Sequence, residues 1–166
     1  MTTKISLKNV HKAFGPKRVL SGVNLDIAKG ESVVIIGGSG TGKSVTLKCI
    51  LGLLTPEQGT IEIDGQNVLN LSPVERERMN DQIGVMFQGA ALFDSLPVWE
   101  NVAFGLLAQR KVNRREARTI ALDKLSLVGM GENIADLSPA DLSFGMQKRV
   151  GLARAIAHDP AVIFFD

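Results

Sequence analysis

A glycine-rich segment at residues 37–44 constrains this chain more than any other feature of its sequence. Its letters, GGSGTGKS, place Gly37, Gly42, Lys43 and Ser44 at the spacing of a phosphate-binding P-loop. The segment follows an apolar run and precedes a stretch with apolar residues at helical spacing. A strand, a glycine-rich loop and a helix in this order are the context that the motif requires. The sequence therefore predicts an α/β fold in which this loop holds a phosphate.

The residue types of the loop suit a bound nucleotide. Glycine allows positive φ and close approach, so backbone N–H groups can curl around an anion at the helix N-terminus. Lys43 is expected to neutralise the β and γ phosphates, and Ser44 to give a hydroxyl ligand to Mg²⁺. A glycine-rich turn with a chance lysine is the alternative, and the loop alone does not separate a kinase, a GTPase and an ATPase. The predicted nucleotide-binding residues are Gly37, Gly38, Ser39, Gly40, Thr41, Gly42, Lys43, Ser44 and Val45.

Strands are predicted on both sides of this loop. Alternating apolar residues indicate a strand over 5–10 and another over 20–27, and the run 32–36, apolar on both faces, predicts a fully buried strand. A helix is predicted over 45–54. A hairpin is predicted over 59–68 because Asp64-Gly65 is a strong turn signal.

The pattern changes to helices from residue 90 onward. After a short helix at 72–79 and a strand at 83–87, helices are predicted over 98–109, 114–127 and 143–157. A last buried strand follows over 161–165. We predict one domain in three parts. These are a nucleotide-binding core with an antiparallel β subdomain, a helical subdomain, and a return to the core, over 1–89, 90–150 and 151–166.

Charge and composition exclude several classes of protein. With 19 Lys and Arg against 17 Asp and Glu, the net charge of +2 gives no nucleic-acid footprint. No apolar run approaches the roughly 18 residues of a membrane span, and no signal segment starts the chain, so any membrane role requires a partner. The lone Cys49 is predicted to be buried, which fits a reducing cytosol. The basic stretch 110–118 indicates a solvated helix face, with a phosphate- or head-group-facing patch as the alternative.

Residues 142–155, LSFGMQKRVGLARA, resemble the signature motif of ABC transporter ATPases, whose usual core is LSGGQ. Four further elements stand in the order of that family: the aromatic Phe14, the P-loop, Gln88 after a strand, and the strand VIFFD ending at Asp166. The resemblance covers essentially the whole chain. It implies a P-loop NTPase of the ABC cassette type, with a RecA-like core, an antiparallel β subdomain and a helical subdomain.

The resemblance also implies roles for individual residues. Phe14 is expected to stack on adenine, and Lys43, Gln88 and Asp166 to be catalytic. Mg²⁺ is expected at Ser44, Gln88 and Asp166. Two cassettes are expected to sandwich ATP as a homodimer, and the residues that face the partner's P-loop are Ser143 and Gly145. The alternatives are a core position for Phe14, an ordinary strand-end polar group for Gln88 and a plain helix cap for Ser143.

A narrower resemblance runs through residues 84–96, GVMFQGAALFDSL, and 98–102, VWENV, and includes Met146. These strings are similar to the Mla (maintenance of lipid asymmetry) type of ATPase. The likeness implies a subunit bound to a membrane permease at the cytoplasmic face of the inner membrane, which couples ATP hydrolysis to phospholipid transport. Leu92, Phe93 and Trp99 are predicted either to line the permease groove or to pack in the core.

Two departures from the family affect the predicted activity. Phe144 replaces a signature glycine, and we predict weaker ATP-driven dimerisation. The sequence stops at Asp166, before the family's catalytic glutamate and switch histidine. The cassette is therefore expected to be incomplete at its C-terminus, with an open sheet edge and no meaningful turnover. The alternative function is a degenerate cassette that binds nucleotide or permease without hydrolysis. A two-cassette soluble ABC protein and a metabolite kinase fit less well, for want of a second cassette and because of the signature segment.

Overall fold

The computed structural model describes residues 2–166. They form two compact units, the first ending at Arg78 and the second comprising Met79–Asp166. The first unit holds an antiparallel sheet and the glycine-rich loop, and the second holds three helices and two parallel strands. The predicted division at residues 89/90 and 150/151 follows functional parts rather than compact units, and it stays a prediction.

An antiparallel sheet of four strands forms the first unit, in the order β2-β1-β3-β4. The turn at Gly15-Pro16 joins the two long strands. At Asp64-Gly65 both residues have positive φ, 50° and 76°, which is the geometry of a type I′ hairpin turn. The predicted hairpin is thereby confirmed. The strands are β1 (Thr3–Phe14), β2 (Lys17–Ala28), β3 (Gln58–Ile63) and β4 (Gln66–Asn67).

A bulge in β1 depends on a glycine from β3. The β1–β2 and β1–β3 registers both shift near Asn9, whose φ is 50°. Gly59 lies against it with a φ of +96°, and a Cβ on Gly59 would stand 2.4 Å from the Asn9 carbonyl oxygen. Only glycine satisfies both the backbone angle and the space. On the buried face of the same strands Ile5, Leu7 and Ile61 are almost fully covered.

Helix α1 is shorter than predicted. It spans Lys43–Ile50, whereas the sequence pattern extends to residue 54. Gly52 adopts a left-handed φ of +72°, and the N–H groups of Gly52 and Leu53 donate to the carbonyls of Cys49 and Lys48. This is a Schellman motif, so a glycine ends the helix before Pro56 is reached. Helix α2 spans Pro73–Asn80. Ser72 precedes it, and the N–H and Oγ of this serine both donate to Glu75, as in a capping box.

The predicted buried strand at 32–36 is wrong. These residues have no regular secondary structure and all are exposed, with Val34 at 80% and Ile36 at 91%. A strand exists only where a neighbour bonds its N–H and C=O groups, and among residues 2–166 none pairs with this run. Apolar composition alone therefore did not make it a strand.

Three helices and two strands form the second unit. The helices fall close to the predicted ranges, and the strands pair in parallel with Ile83 opposite Val162. Their common core centres on Val102, Leu125 and Val150, all fully buried. The elements are β5 (Ile83–Met86), α3 (Val98–Ala108), α4 (Arg114–Leu127), α5 (Phe144–Ala155) and β6 (Val162–Phe165).

Helix α5 packs directly on β5. A Cβ on Gly84 would stand 2.2 Å from the Ala155 carbonyl oxygen, so glycine permits the contact. The prediction of a buried strand over 161–165 is only half right. The strand exists, but Ile163 is 37% and Phe165 67% exposed, because it pairs on one side and one face is bare. No helix within residues 2–166 is long and apolar enough to cross a membrane.

Candidate nucleotide site

The glycine-rich loop of the first unit has the backbone that an anion cradle needs. Gly40 and Gly42 adopt φ values of +77° and +99°, which side-chain-bearing residues rarely reach. Gly42 is also the N-cap of α1. A Cβ there would stand 2.7 Å from the Leu20 side chain and 3.1 Å from the Val19 carbonyl oxygen. Gly42 therefore serves both the loop's turn and its packing on β2.

Polar side chains brace this loop from within. The Lys43 ammonium donates to the carbonyl oxygens of Gly37 and Gly38, at 2.7 Å each. The Thr41 hydroxyl donates to the Gly38 carbonyl at 2.9 Å, and Thr46 donates to the Gly42 carbonyl at 3.0 Å. The lysine charge is thus held over the loop and at the N-terminus of α1, where the helix dipole favours anions.

A hollow of about 260 Å³ opens beside the loop. Besides predicted residues, Lys17 and Val19 of β2 line it, and the sequence pattern did not identify either. Lys17 adds a second cation next to Lys43. The signal available in the sequence was its place in the β1–β2 hairpin just after Phe14. The lining comprises Lys17, Val19, Gly40, Gly42, Lys43, Ser44 and Val45.

Phe14 ends β1 and pairs across the hairpin with Lys17, one of the residues that line the hollow. The ring is 47% exposed, so the alternative of a core position is wrong. The Lys12 ammonium lies 5.4 Å from the ring centroid and pairs with Glu57 at 2.5 Å. That hydrogen bond from Lys12 lowers the pKa of Glu57. The exposed ring is available for stacking on a planar base.

Gln88 and Asp166, in the second unit, follow the carboxyl ends of two adjacent parallel strands. Met86 pairs with Phe165, and the Asp166 N–H donates to the Met86 carbonyl at 3.0 Å. Gln88 is exposed in a turn that the Ala90 N–H closes onto the Phe87 carbonyl at 3.0 Å. Ligands of open α/β sheets bind at this end of the strands. The arrangement brings an amide and a carboxylate to one edge.

These donors fit Mg²⁺ in kind. The predicted set is a hydroxyl of Ser44, the amide of Gln88 and the carboxylate of Asp166, and oxygen ligands are what this cation takes. Within residues 2–166 no cluster of three His, Cys, Asp or Glu side chains forms a metal site. Mg²⁺ commonly binds through one or two carboxylates together with the substrate's phosphates, and the binding of one ion by all three residues stays a prediction.

The start of α5 presents a compact exposed face. Ser143 is the N-cap, and its Oγ accepts from the Met146 N–H at 3.3 Å. No atom lies within 4 Å of a Cβ built on Gly145, so the backbone there is open to an approaching group. Phe144 is 63% exposed, and the Lys148 ammonium lies 4.6 Å from its ring centroid. The role of Ser143 as a helix cap is observed, and its contact with a nucleotide stays a prediction.

A buried asparagine organises the loop after Gln88, and the sequence pattern gave it no role. Asn101 is fully buried. Its side chain accepts from the Phe93 N–H at 2.7 Å and donates to the carbonyls of Phe93, Leu96 and Pro97 at 3.0, 2.9 and 3.2 Å. The Phe93 ring is 42% exposed and packs on Phe104, whose centroid is 4.4 Å away. Asn101 therefore fixes an exposed aromatic pair.

The other two predicted groove residues behave differently. Trp99 is only 6% exposed and belongs to the core, so of its two predicted alternatives core packing is confirmed and the groove is wrong. Leu92 is partly buried against the same core. Two cations lie over the ring of Trp99. Arg114 and Arg118 lie 5.0 and 5.6 Å from its ring and pair with Glu100 and Asp136.

The paired arginines explain much of the basic stretch 110–118. The hydrogen bond from Arg118 lowers the pKa of Asp136. Lys111 pairs with Asp81 at 2.6 Å. Opposite charges balance these cations at the surface, which supports the reading of a solvated helix face.

Comparison with known proteins places these features in a family. The family described as "ABC transporter" matches residues 20–166. The chain is 44% identical, over all of its length, to the probable ribonucleotide transport ATP-binding protein mkl of Mycobacterium leprae, of which it spans 48%. The glutamine transport ATP-binding protein GlnQ of Escherichia coli is 44% identical over 98% of this chain and 67% of its own length. The chain is also similar to the intermembrane phospholipid transport system ATP-binding protein MlaF of Haemophilus influenzae. The identity is 41% over 98% of this chain and 61% of that protein.

The fold agrees with solved cassettes. A dimeric structure of the ATP-binding cassette MJ0796, in a post-hydrolysis state bound to ADP and Pi, superposes with a TM-score of 0.87 and 36% identity. The match covers 98% of this chain and 73% of that one. The chain thus spans about half the length of the mycobacterial relative and more of the others. Cassettes of this kind bind ATP with Mg²⁺. By its phosphate loop, its signature helix and these matches, the chain belongs to the ABC transporter family of ATP-binding cassettes.

Proposed function

We propose that this chain binds ATP with Mg²⁺ and acts in the ATP-hydrolysing subunit of an ABC transporter that moves phospholipid across the bacterial envelope. The loop 37–45 carries the nucleotide part of the proposal. Gly40 and Gly42 are left-handed, Gly42 is the N-cap of α1, and the Lys43 ammonium donates to two loop carbonyls at 2.7 Å each. A preorganised cation at a helix N-terminus favours a polyphosphate.

Each predicted residue then has one task. Lys43 neutralises phosphate charge, and Phe14 stacks on the base. Bound Mg²⁺ lowers the negative charge of the phosphates, and Ser44, Gln88 and Asp166 hold it. The other loop residues offer their backbone N–H groups. Ser143 and Gly145 contact the nucleotide of a second copy, because an open, capped helix start is suited to a phosphate that arrives from outside.

The partners follow from the same surfaces. We propose a homodimer of cassettes, a state that the name of the related MJ0796 structure also carries. The exposed ring pair Phe93 and Phe104, fixed by the buried Asn101, is the proposed contact for a membrane permease. Membrane association at the cytoplasmic face of the inner membrane would then come through that permease.

Phospholipid is the proposed cargo of the transporter. The strings at 84–96 and 98–102 and the signature residue Met146 support it, together with 41% identity to the MlaF protein. Relatives of similar identity carry other names, for ribonucleotide and for glutamine transport. We give the strings more weight than overall identity, because they hold the turn and the aromatic pair that we propose as the permease contact.

A second candidate function is nucleotide or permease binding without turnover. Phe144 favours it, since an exposed ring stands where glycine would let a partner's phosphate approach the backbone, and Lys148 holds that ring in place. Size-exclusion chromatography with ATP and Mg²⁺ separates the two. If Phe144→Gly restores an ATP-dependent dimer that the native chain does not form, the second function stands. If both form it equally, Phe144 is no obstacle.

Calorimetric titration with ATP and Mg²⁺ tests the nucleotide part. We expect Lys43→Ala to weaken binding by about tenfold or more, the scale of a lost hydrogen bond to a charged group. Lys48→Ala is the matched control, since Lys48 is an exposed lysine in the last turn of the same helix. Equal affinities of the two variants, or no binding by the native chain, would contradict the proposal.

Cargo identity requires the membrane complex. The full-length protein, purified in detergent with its permease from its source, should carry phospholipid detectable by mass spectrometry. It should also show ATPase activity that rises on reconstitution with phospholipid. Stimulation by glutamine or by ribonucleotides instead would reject phospholipid as the cargo and keep the ATP-binding assignment intact.

A further inference from the structure

The turn that carries Gln88 has an unusual backbone. Ala90 and Ala91, directly after it, both adopt left-handed angles, with φ values of 58° and 46°. Two consecutive residues with side chains in this region cost free energy, and neither is Gly, Asn or Asp. Such a bend persists only where the surroundings over-determine it. The sequence around it offers no local reason for the bend at residues 90 and 91.

The support for this bend comes from the C-terminal end of α5, the helix that begins with the signature motif and is called the signature helix below. The two Nη atoms of Arg154 donate to the carbonyls of Ala91 and Ala90, at 2.8 and 2.5 Å. A planar guanidinium suits this contact, because its two Nη atoms point in one plane and each can donate to a separate oxygen. The group is partly withdrawn from water, and burial lowers the pKa of Arg154. The positive charge of Arg154 is therefore stabilised by these two carbonyl oxygens in place of water.

A second contact from the same helix fixes the same residue. Ala90 is 1% exposed and packs on Gly151, where a built Cβ would stand 3.1 Å from the Ala90 Cβ and 3.3 Å from its Cα. The Ala90 N–H, in turn, closes the Gln88 turn on Phe87. Every group of Ala90 is thus engaged: N–H by the turn, side chain by Gly151, and carbonyl by Arg154.

We propose that Arg154 is a positioning residue that locks the Gln88 turn to the signature helix, so that the two move as one body. The helix that starts at Ser143 holds Ala90 through Arg154 and Gly151, and Ala90 sets where Gln88 emerges from β5. A displacement at one end of α5 is then felt at Gln88. The inference rests on the proposed function, because it concerns the part that Gln88 plays with Mg²⁺ and ATP.

The direct test is backbone hydrogen exchange in the 166-residue chain. We expect Arg154→Met to speed exchange at the amide of Ala90, which donates to the Phe87 carbonyl, by about tenfold, because a turn without its clamp opens more often. Arg149→Met is the matched control: Arg149 lies on the same helix and donates to a different loop carbonyl, that of Gly129, at 3.5 Å. Unchanged exchange in Arg154→Met would overturn the proposal. Trp99 fluorescence verifies that each variant is folded.

A double-mutant cycle separates positioning from general stability. The measured quantity is the increase in ATP affinity when Mn²⁺, a spectroscopic substitute for Mg²⁺, is added. It is compared in four proteins: the native chain, Arg154→Met, Gln88→Ala and the variant that carries both changes. We expect each single substitution to reduce this increase in affinity. The double variant should lose no more of it than the more affected single variant, since the effects of coupled residues are non-additive. Additive losses would overturn the proposal.

Two further variants keep the test decisive. Arg154→Lys retains the charge but replaces two planar donor nitrogens with one, so it should protect the turn less than the native arginine does. Gly151→Ala disturbs Ala90 by packing alone and should reduce the same metal-dependent gain, even if Arg154→Met does not fold. If the native chain binds no ATP, the proposed function fails. If it binds ATP and the cycle is additive, only the positioning role fails.

Discussion

The phosphate loop and the Gln88 turn both contain residues with left-handed backbone angles, but different contacts hold those angles. The loop at 37–45 uses glycines for its left-handed residues and braces itself with its own threonine and lysine, all within a few positions. The turn at 87–91 uses alanines, and its support comes from Arg154, far along the chain. A loop that is held by its own residues can be predicted from a sequence, whereas a turn that is held by distant contacts cannot. The two regions should therefore respond differently to mutation.

The largest effect is expected where a buried polar group holds the segment beyond the turn. Asn101→Ala should lower the free energy of unfolding by about 3 kcal/mol, because it leaves the Phe93 N–H without its acceptor, removes a donor shared by three carbonyls and opens a cavity. Urea denaturation followed by Trp99 fluorescence reports this unit. Asn113→Ala removes a single exposed helix cap and should cost about 1 kcal/mol. Equal losses would mean that Asn101 does not organise the segment.

Next in size is the close packing of α5 on β5. Gly84→Ala should destabilise the same unit by about 2 kcal/mol, since the new Cβ meets the Ala155 carbonyl oxygen, a backbone atom that cannot turn away. The control is Gly89→Ala, where nothing lies within 4 Å. Denaturation midpoints compare the two. A tolerated Gly84→Ala would show that helix and strand are further apart than described.

A smaller effect is expected from pH. Burial lowers the pKa of His158 below its usual value of 6.5, with Lys111 acting in the same direction and Asp81 and Asp159 against it. The folded protein therefore holds this ring neutral more firmly than the unfolded chain does. The resulting stability is fully present above pH 6.5 and is lost as pH falls towards the folded-state pKa.

The comparison of native chain with His158→Gln measures this contribution. Denaturation of the native chain between pH 7.5 and pH 5 should show a decline in stability that is shallower in the variant. Asp81 has a lowered pKa, since hydrogen bonds from Lys111 and Gln109 outweigh its burial, so its own contribution lies at lower pH. Parallel pH profiles for the two proteins would contradict the assignment to His158.

The smallest effect is expected in the exposed apolar run before the phosphate loop. Val34→Ser and Ile36→Ser should change the stability of the 166-residue chain by less than about 0.5 kcal/mol, because both side chains are already in water. Thermal unfolding followed by the circular dichroism of the sheet is the measurement. Leu7→Ser, at a position 1% exposed, is the buried counterpart and should destabilise strongly. A large loss for Ile36→Ser would restore the buried strand that the sequence predicted.

Among the candidate site residues, sequence identified those whose chemistry is local. The glycines, Lys43 and Ser44 were predicted from spacing, and the N-cap role of Ser143 was predicted from its place before a helix. Lys17, Val19, Asn101 and Arg154 were not identified. Each of these side chains contacts residues outside its own helix or strand, and a pattern of residue types along the chain does not predict such a contact.

The sequence by itself determined the phosphate loop, the hairpin at Asp64-Gly65 and the helices of the second unit. It also carried the order of motifs that is typical of the ABC family. These depend on backbone preferences and on apolar periodicity, which neighbours in the chain decide. Only the tertiary structure decided that 32–36 is exposed, that α1 ends at a glycine cap, that Trp99 is core while Phe93 is surface, and that two alanines are held left-handed. Burial and strand pairing depend on which distant atoms arrive at a residue, and a linear pattern carries no record of that.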